Sequence, residues 1–95
     1  MKYIKKQIPV EAIQVTKEFL AHSVYYWEDF LPDWVTNAMK NGRFYILPNG
    51  FGFTVNTLEG TMLAPFGSYL IKGVDGELYP CREEVFKKSY EMYEE

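Results

Sequence analysis

The apolar residues Trp27, Phe30, Leu31, Trp34, Val35, Ala38 and Met39 recur at spacings of three and four, which lines one face of a helix. Pro32 interrupts the stripe. Proline is tolerated in a first helical turn and costly inside a helix. The pattern therefore predicts a break or fresh start at Leu31-Pro32, and a helix from there to about Lys40 that Asn41-Gly42 stops. On either side the period is two. Tyr3 to Val15 reads as an extended segment interrupted by Pro9, and most clearly as a strand from Pro9 to Val15. After the helix, "RFYIL" runs into the turn signal Pro48-Asn49-Gly50 and then "FGFTVNTL". Phe51, Phe53 and Val55 alternate there and are expected to share a face.

Glu59-Gly60 marks a second turn, "TMLAPF" returns, and Gly67 bends the chain. Asp75-Gly76 predicts a type I′ hairpin between strands Ser68–Val74 and Glu77–Tyr79. Tyr69 and Ile71 should face one way, and Leu70, Lys72 and Val74 the other. Pairing should stop at Pro80, which has no N–H to give a ladder. Glu83 and Glu84 followed by Lys87 and Lys88 suit a short helix, acid first and base last. The final "SYEMY" alternates like a closing strand. Together these elements predict one small α+β domain spanning residues 1–95. Its architecture is an antiparallel β-meander of roughly four or five strands packed against one or two helices. Trp27, Phe30, Trp34, Val35 and Ala38 should cover Phe51, Phe53 and Val55.

Composition sharpens this picture. A chain of 95 residues buries a modest share of its surface, and 47% hydrophobic content answers that need. With two Trp, eight Tyr and seven Phe, the aromatics either compensate for small size or leave an exposed patch that meets a partner or ligand. A net charge of -3 and a pI near 5.2 argue against binding a phosphate backbone directly. Lys2, Lys5 and Lys6 open the chain, and Glu91, Glu94 and Glu95 close it. These are either solvated ends or segments whose charges meet across paired strands. The opening lysines have no apolar run behind them, and no stretch reaches membrane-spanning length. The expected setting is a cytoplasm, without membrane contact.

Candidate chemistry is sparse. Cys81 and His22 are the sole cysteine and histidine, which leaves no disulfide framework and no zinc site. Cys81 beside Arg82 at a helix start has the setting of a reactive thiol. It has no neighbouring base, however, and Lys87 stands where a Cys-x5-Arg phosphate loop needs arginine, so a packing role is expected. Glu11, Glu59 and Glu77 lie in or beside strands, where two of them would have to converge to do acid–base work. Gly73-Val74-Asp75-Gly76 lacks the helix and Lys-Ser/Thr of a P-loop, and Ser68 lacks nucleophile-elbow glycines. No catalytic residue, metal ligand or cofactor is assigned. Tyr69, Lys72, Tyr79 and Arg82 form the candidate ligand-binding set, because aromatics and cations side by side can stack a base and pair a phosphate. The alternative is an ordinary polar sheet face. Strand alternation implies that a site draws on Tyr69 or Lys72, not on both.

"KKQIPVEAIQVT", "LPDWVTNAMKNG" and "TLEGTMLAPFGSYLIKGVDGELYPCREEVFKKSYE" carry a wider pattern. They resemble a family of small phage and prophage proteins with a Pro-Gly-Asp-Tyr-Gly-type signature. The matching positions are Thr57-Leu58-Glu59-Gly60, Gly67, Tyr69, Ile71-Lys72-Gly73-Val74, Gly76-Glu77, Tyr79-Pro80-Cys81, Phe86 and Tyr90-Glu91. The chain departs from the signature where Phe66 replaces Pro and Ser68 replaces Asp. The resemblance implies an origin rather than a mechanism: a phage accessory protein of unassigned role, acting in the bacterial cytoplasm, with no likeness to an enzyme family. The leading expectation is non-catalytic binding of a host or phage protein. The alternatives are a small-ligand, nucleotide-type binder, which a homodimer interface could complete, and an uncharacterised enzyme using Cys81 or paired carboxylates.

Overall fold

The computed structural model describes residues 1–3, 8–17, 31–48 and 50–91. Pro32 stays extended (φ -57°, ψ 150°), and its carbonyl accepts the N–H groups of Val35 and Thr36 at 3.0 and 3.2 Å. It thereby starts α1, Asp33–Lys40, at the break that the sequence predicts. The helix ends in a Schellman arrangement. Gly42 takes φ 75° and donates to Met39, while Arg43 donates to Ala38.

Among the described residues the strands are β1 (Glu11–Gln14), β2 (Phe44–Ile46), β3 (Gly52–Thr57), β4 (Gly60–Pro65), β5 (Tyr69–Lys72) and β6 (Leu78–Cys81). The short helix α2, Glu83–Ser89, follows them with acid in its first turn and base in its last. All pairings are antiparallel. The class is α+β, as expected, but the strands do not form one meander. They form two three-stranded sheets, ordered β2-β3-β4 and β1-β5-β6. The divide lies at Pro65–Ser68, where Ser68 N–H bonds the Pro65 carbonyl and Gly67 takes φ 99°. This is a type II turn, with glycine at the position that needs positive φ. Gly67 N–H and Ser68 C=O both bond to Val15, so β5 leaves the first sheet and takes β1 as its neighbour. Ser68 is buried here, which gives the replaced signature position a structural place in the turn.

Three further expectations are corrected. The hairpin turn at Asp75-Gly76 is present, but Gly76 alone takes positive φ, so the turn is not type I′. Gly73 and Glu77 bond across it and Gly76 N–H returns to Gly73. That is a three-residue loop in which glycine absorbs a bulge. Pairing also runs past Pro80 to Cys81. The Gly73–Glu77 bond sets the alternation, so Pro80 opposite Leu70 falls at a non-bonded position and its nitrogen faces the sheet edge, where proline is tolerated. Finally, Phe51 does not share the buried face of Phe53 and Val55. The Leu47–Gly52 bond closes a loop that contains Phe51, which is 72% exposed, while Phe53 and Val55 are fully buried.

The core lies between the sheets and α1. Val35 and Ala38 belong to one buried cluster with Phe53 and Val55, with Leu70 from the second sheet and with Val15 just beyond β1, and Trp34 packs half-buried against it. Phe44 and Phe53 meet edge to face at 5.4 Å. Trp27, Phe30 and His22 lie outside the described residues, as do Asn49, Lys5, Lys6, Glu94, Glu95 and the Met92-Tyr93 part of the expected closing strand. Tyr90 and Glu91 are described and are not strand, and β1 pairs with β5 rather than with the last residues.

Candidate functional site

Both faces of β5 are covered. Leu70 faces the core, whereas Ile71, equally buried, stands outside that cluster, on the face that carries Tyr69. That face is closed by α2. Tyr69 stacks on Phe86 with centroids 3.7 Å apart and planes 8° apart, and Phe86 stacks in turn on Tyr90 at 4.8 Å. Phe86 and Tyr90 are four residues apart on the chain, so they align along one side of the helix. The Tyr79 hydroxyl lies 3.4 Å from that of Tyr90. Burial, then the Tyr90 hydrogen bond, push the Tyr79 phenol far above its ordinary pKa. Gln14 Nε2 donates to Glu83 Oε2 at 2.7 Å and to the Gly67 carbonyl at 3.1 Å, tying β1 and the turn to the start of α2. A helix of seven residues with none buried has little stability of its own, so these contacts hold it.

The four candidate ligand-binding residues do not converge. Tyr69 and Tyr79 share the face under α2, but Phe86 already occupies the Tyr69 ring. Lys72 belongs to the opposite face, 3.5 Å from Glu11 Oε2. The Tyr69-or-Lys72 alternation therefore holds. Arg82 is exposed at the entry to α2, beside an open cleft of about 470 Å³ formed with Pro65–Ser68 and Lys87. Lys87 donates to Glu83 at 3.0 Å, and that bond raises its pKa.

Cys81 is half-buried, and its thiol contacts the Arg82 carbonyl at 3.6 Å. Burial, and then the Glu84 charge, raise the pKa of the Cys81 thiol, which is opposite to the tuning of a nucleophile. Glu59 and Glu77 border one apolar hollow of about 240 Å³ with Met62 and Tyr79, whereas Glu11 is engaged by Lys72. Among the described residues, no group of three or more His, Cys, Asp or Glu could hold a metal ion.

Sequence reasoning left one surface unread. In the β2-β3-β4 sheet, Phe44, Val55, Phe53 and Ala64 take the core side. The other side carries a cross-strand row, Tyr45 opposite Thr54 and Thr54 opposite Leu63. Tyr45 is 55% exposed and Leu63 66%. The signal was the alternation of Phe44, Tyr45 and Ile46, which puts tyrosine alone on the outer side. Fold and faces thus define an α+β protein with one sheet capped by a helix and the other open on one face. No protein family, curated protein or solved structure was found to match the chain. No helix among the described residues is long and apolar enough to cross a membrane.

Proposed function

We propose that the protein is a non-catalytic phage or prophage accessory protein that acts in the bacterial cytoplasm by binding a host or phage protein. The observation that carries the binding is the Tyr45–Thr54–Leu63 row on the open sheet face. Tyrosine is among the side chains that protein interfaces use as anchors, and Tyr45 stands exposed on this face. The phage setting is supported by the closing signature from Thr57 to Glu91. The nucleotide-type reading loses its main support, because the Tyr69 ring that would stack a base already stacks on Phe86.

The test is photo-crosslinking in phage-infected host cells. A photoreactive amino acid at Tyr45 is expected to give an adduct with one other protein. The same group at Glu84, exposed on α2, should give none. No adduct from position 45, or equal adducts from both positions, would overturn the assignment.

A further inference from the structure

Natural sheets protect their free edges with charge, proline, bulges or short strands. The described edges of this protein differ in that respect. β6 carries Pro80 at an edge-facing position, β2 is three residues long, and β1 is four residues long with Glu11 and a preceding Pro9. β4 is a six-residue edge, Gly-Thr-Met-Leu-Ala-Pro, without a charged residue and with proline only at its last position.

The hydrogen-bond phase shows what this edge offers. Asn56 donates to Arg43, and Gly52 accepts from Leu47, so Gly52, Thr54 and Asn56 bond toward β2. Phe53, Val55 and Thr57 then bond toward β4, onto Ala64, Met62 and Gly60. Thr61 and Leu63 consequently turn their N–H and C=O groups outward. The Pro65 carbonyl is already taken by Ser68 N–H, so the edge offers the Thr61–Leu63 stretch.

We propose that a second copy of this chain occupies that stretch, antiparallel, about a two-fold axis at Met62. Thr61 of each copy then exchanges both backbone bonds with Leu63 of the other. No other antiparallel register uses both outward residues on both chains without calling on the proline. Met62 falls opposite Met62 at a non-bonded pair, where side chains approach most closely. Gly60 falls opposite Ala64, so nothing bulky opposes the pairing. Met62 is 44% exposed in the single chain, and pairing covers it. The interface is isologous and closes at two copies. It joins two open faces into one longer sheet, whichever protein those faces receive.

Light scattering on the purified protein tests this, with no partner present. The wild type is expected to show twice its 11.2 kDa mass as concentration rises from micromolar to millimolar. Met62→Lys and Met62→Glu place like charges directly opposite and should each stay at the single mass. Mixed in equal amounts they should regain the doubled mass, which only folded chains in the Met62-centred register can do. Leu63→Pro removes an N–H that points away from β3, and it should also stay monomeric. A wild type monomeric throughout, a single variant that dimerises like the wild type, or a mixture that stays monomeric would each overturn the proposal.

Discussion

Gly52 is where the β3–β4 ladder closes against Pro65, with φ 152°. A Cβ added there would overlap the Ala64 carbonyl oxygen and lie 2.8 Å from Pro65 Cα. Both obstacles are backbone, so no side chain can rotate away. Gly52→Ala therefore meets two costs. The backbone conformation is one that side-chain-bearing residues rarely adopt, at about 1–3 kcal/mol. Relieving the overlap requires the strand end to shift, which by analogy with overpacked cores costs about 1–3 kcal/mol more. The sum, about 2–6 kcal/mol, is a large share of a small domain's stability. At about 4–8 °C per kcal/mol, the melting temperature should fall by on the order of 10–50 °C. Gly50→Ala is the internal control: Gly50 also has positive φ, 80°, but nothing lies within 4 Å of its added Cβ. It should lose only the conformational part, about 1–2 kcal/mol. Urea denaturation followed by tryptophan fluorescence measures both. Equal losses in the two variants would show that the Ala64 carbonyl does not obstruct position 52, and the reasoning would fail.

Phe86→Ala removes a half-buried ring from the stack and should cost about 2 kcal/mol, below the range for a fully buried ring. Exchange of the Phe86 and Tyr90 amides, which bond to Arg82 and Phe86, should accelerate; unchanged exchange would refute the anchoring role. Cys81→Ala should cost under about 1.5 kcal/mol and leave partner binding intact, while the wild-type thiol should alkylate at neutral pH more slowly than a free cysteine, because its raised pKa leaves less thiolate. Tyr79 ionises later in the folded chain than in the unfolded one, so its contribution is whole below the unfolded value of about 10 and is lost as pH rises toward the folded one. Stability should accordingly fall above about pH 10, and Tyr79→Phe should flatten that fall; an identical alkaline profile in the variant would contradict the shift. Gly76→Val, at φ 82°, should lower stability by more than about 1 kcal/mol, and an unchanged melting temperature would tell against the bulged hairpin.

The sequence made legible what neighbouring residues decide. Pro32 and Asn41-Gly42 bound α1, and Glu59-Gly60 and Asp75-Gly76 mark two hairpins, because start, stop and turn chemistry is local. The division into two sheets was not legible. Nothing near Glu11–Gln14 says that its neighbour will be Tyr69–Lys72. Alternation also misled at Phe51, since the rule holds only inside a ladder and the ladder begins at Gly52. On β5 the alternation was right about Tyr69 and Lys72, but it could not show that α2 buries the second face, or that Phe86 would take the ring offered as a stacking platform. The Phe86–Tyr90 spacing carried that hint, in a segment read chiefly for its charges.

The pairing of β1 with β5 sets an order of events during synthesis. Every contact of the β2-β3-β4 sheet joins strands adjacent in the chain, so its loops are short and close quickly. Of the described strands β1 is made first, and it must wait until β5 emerges, because its only strand partner among the described residues lies at Tyr69–Lys72. Val15 and Ile13 stay exposed through that interval, and Val15 cannot reach Leu70 in the core until the Pro65–Ser68 turn has formed. Among the described strands the β1–β5 pairing spans the most chain, so its closure is expected to be the slow step in folding.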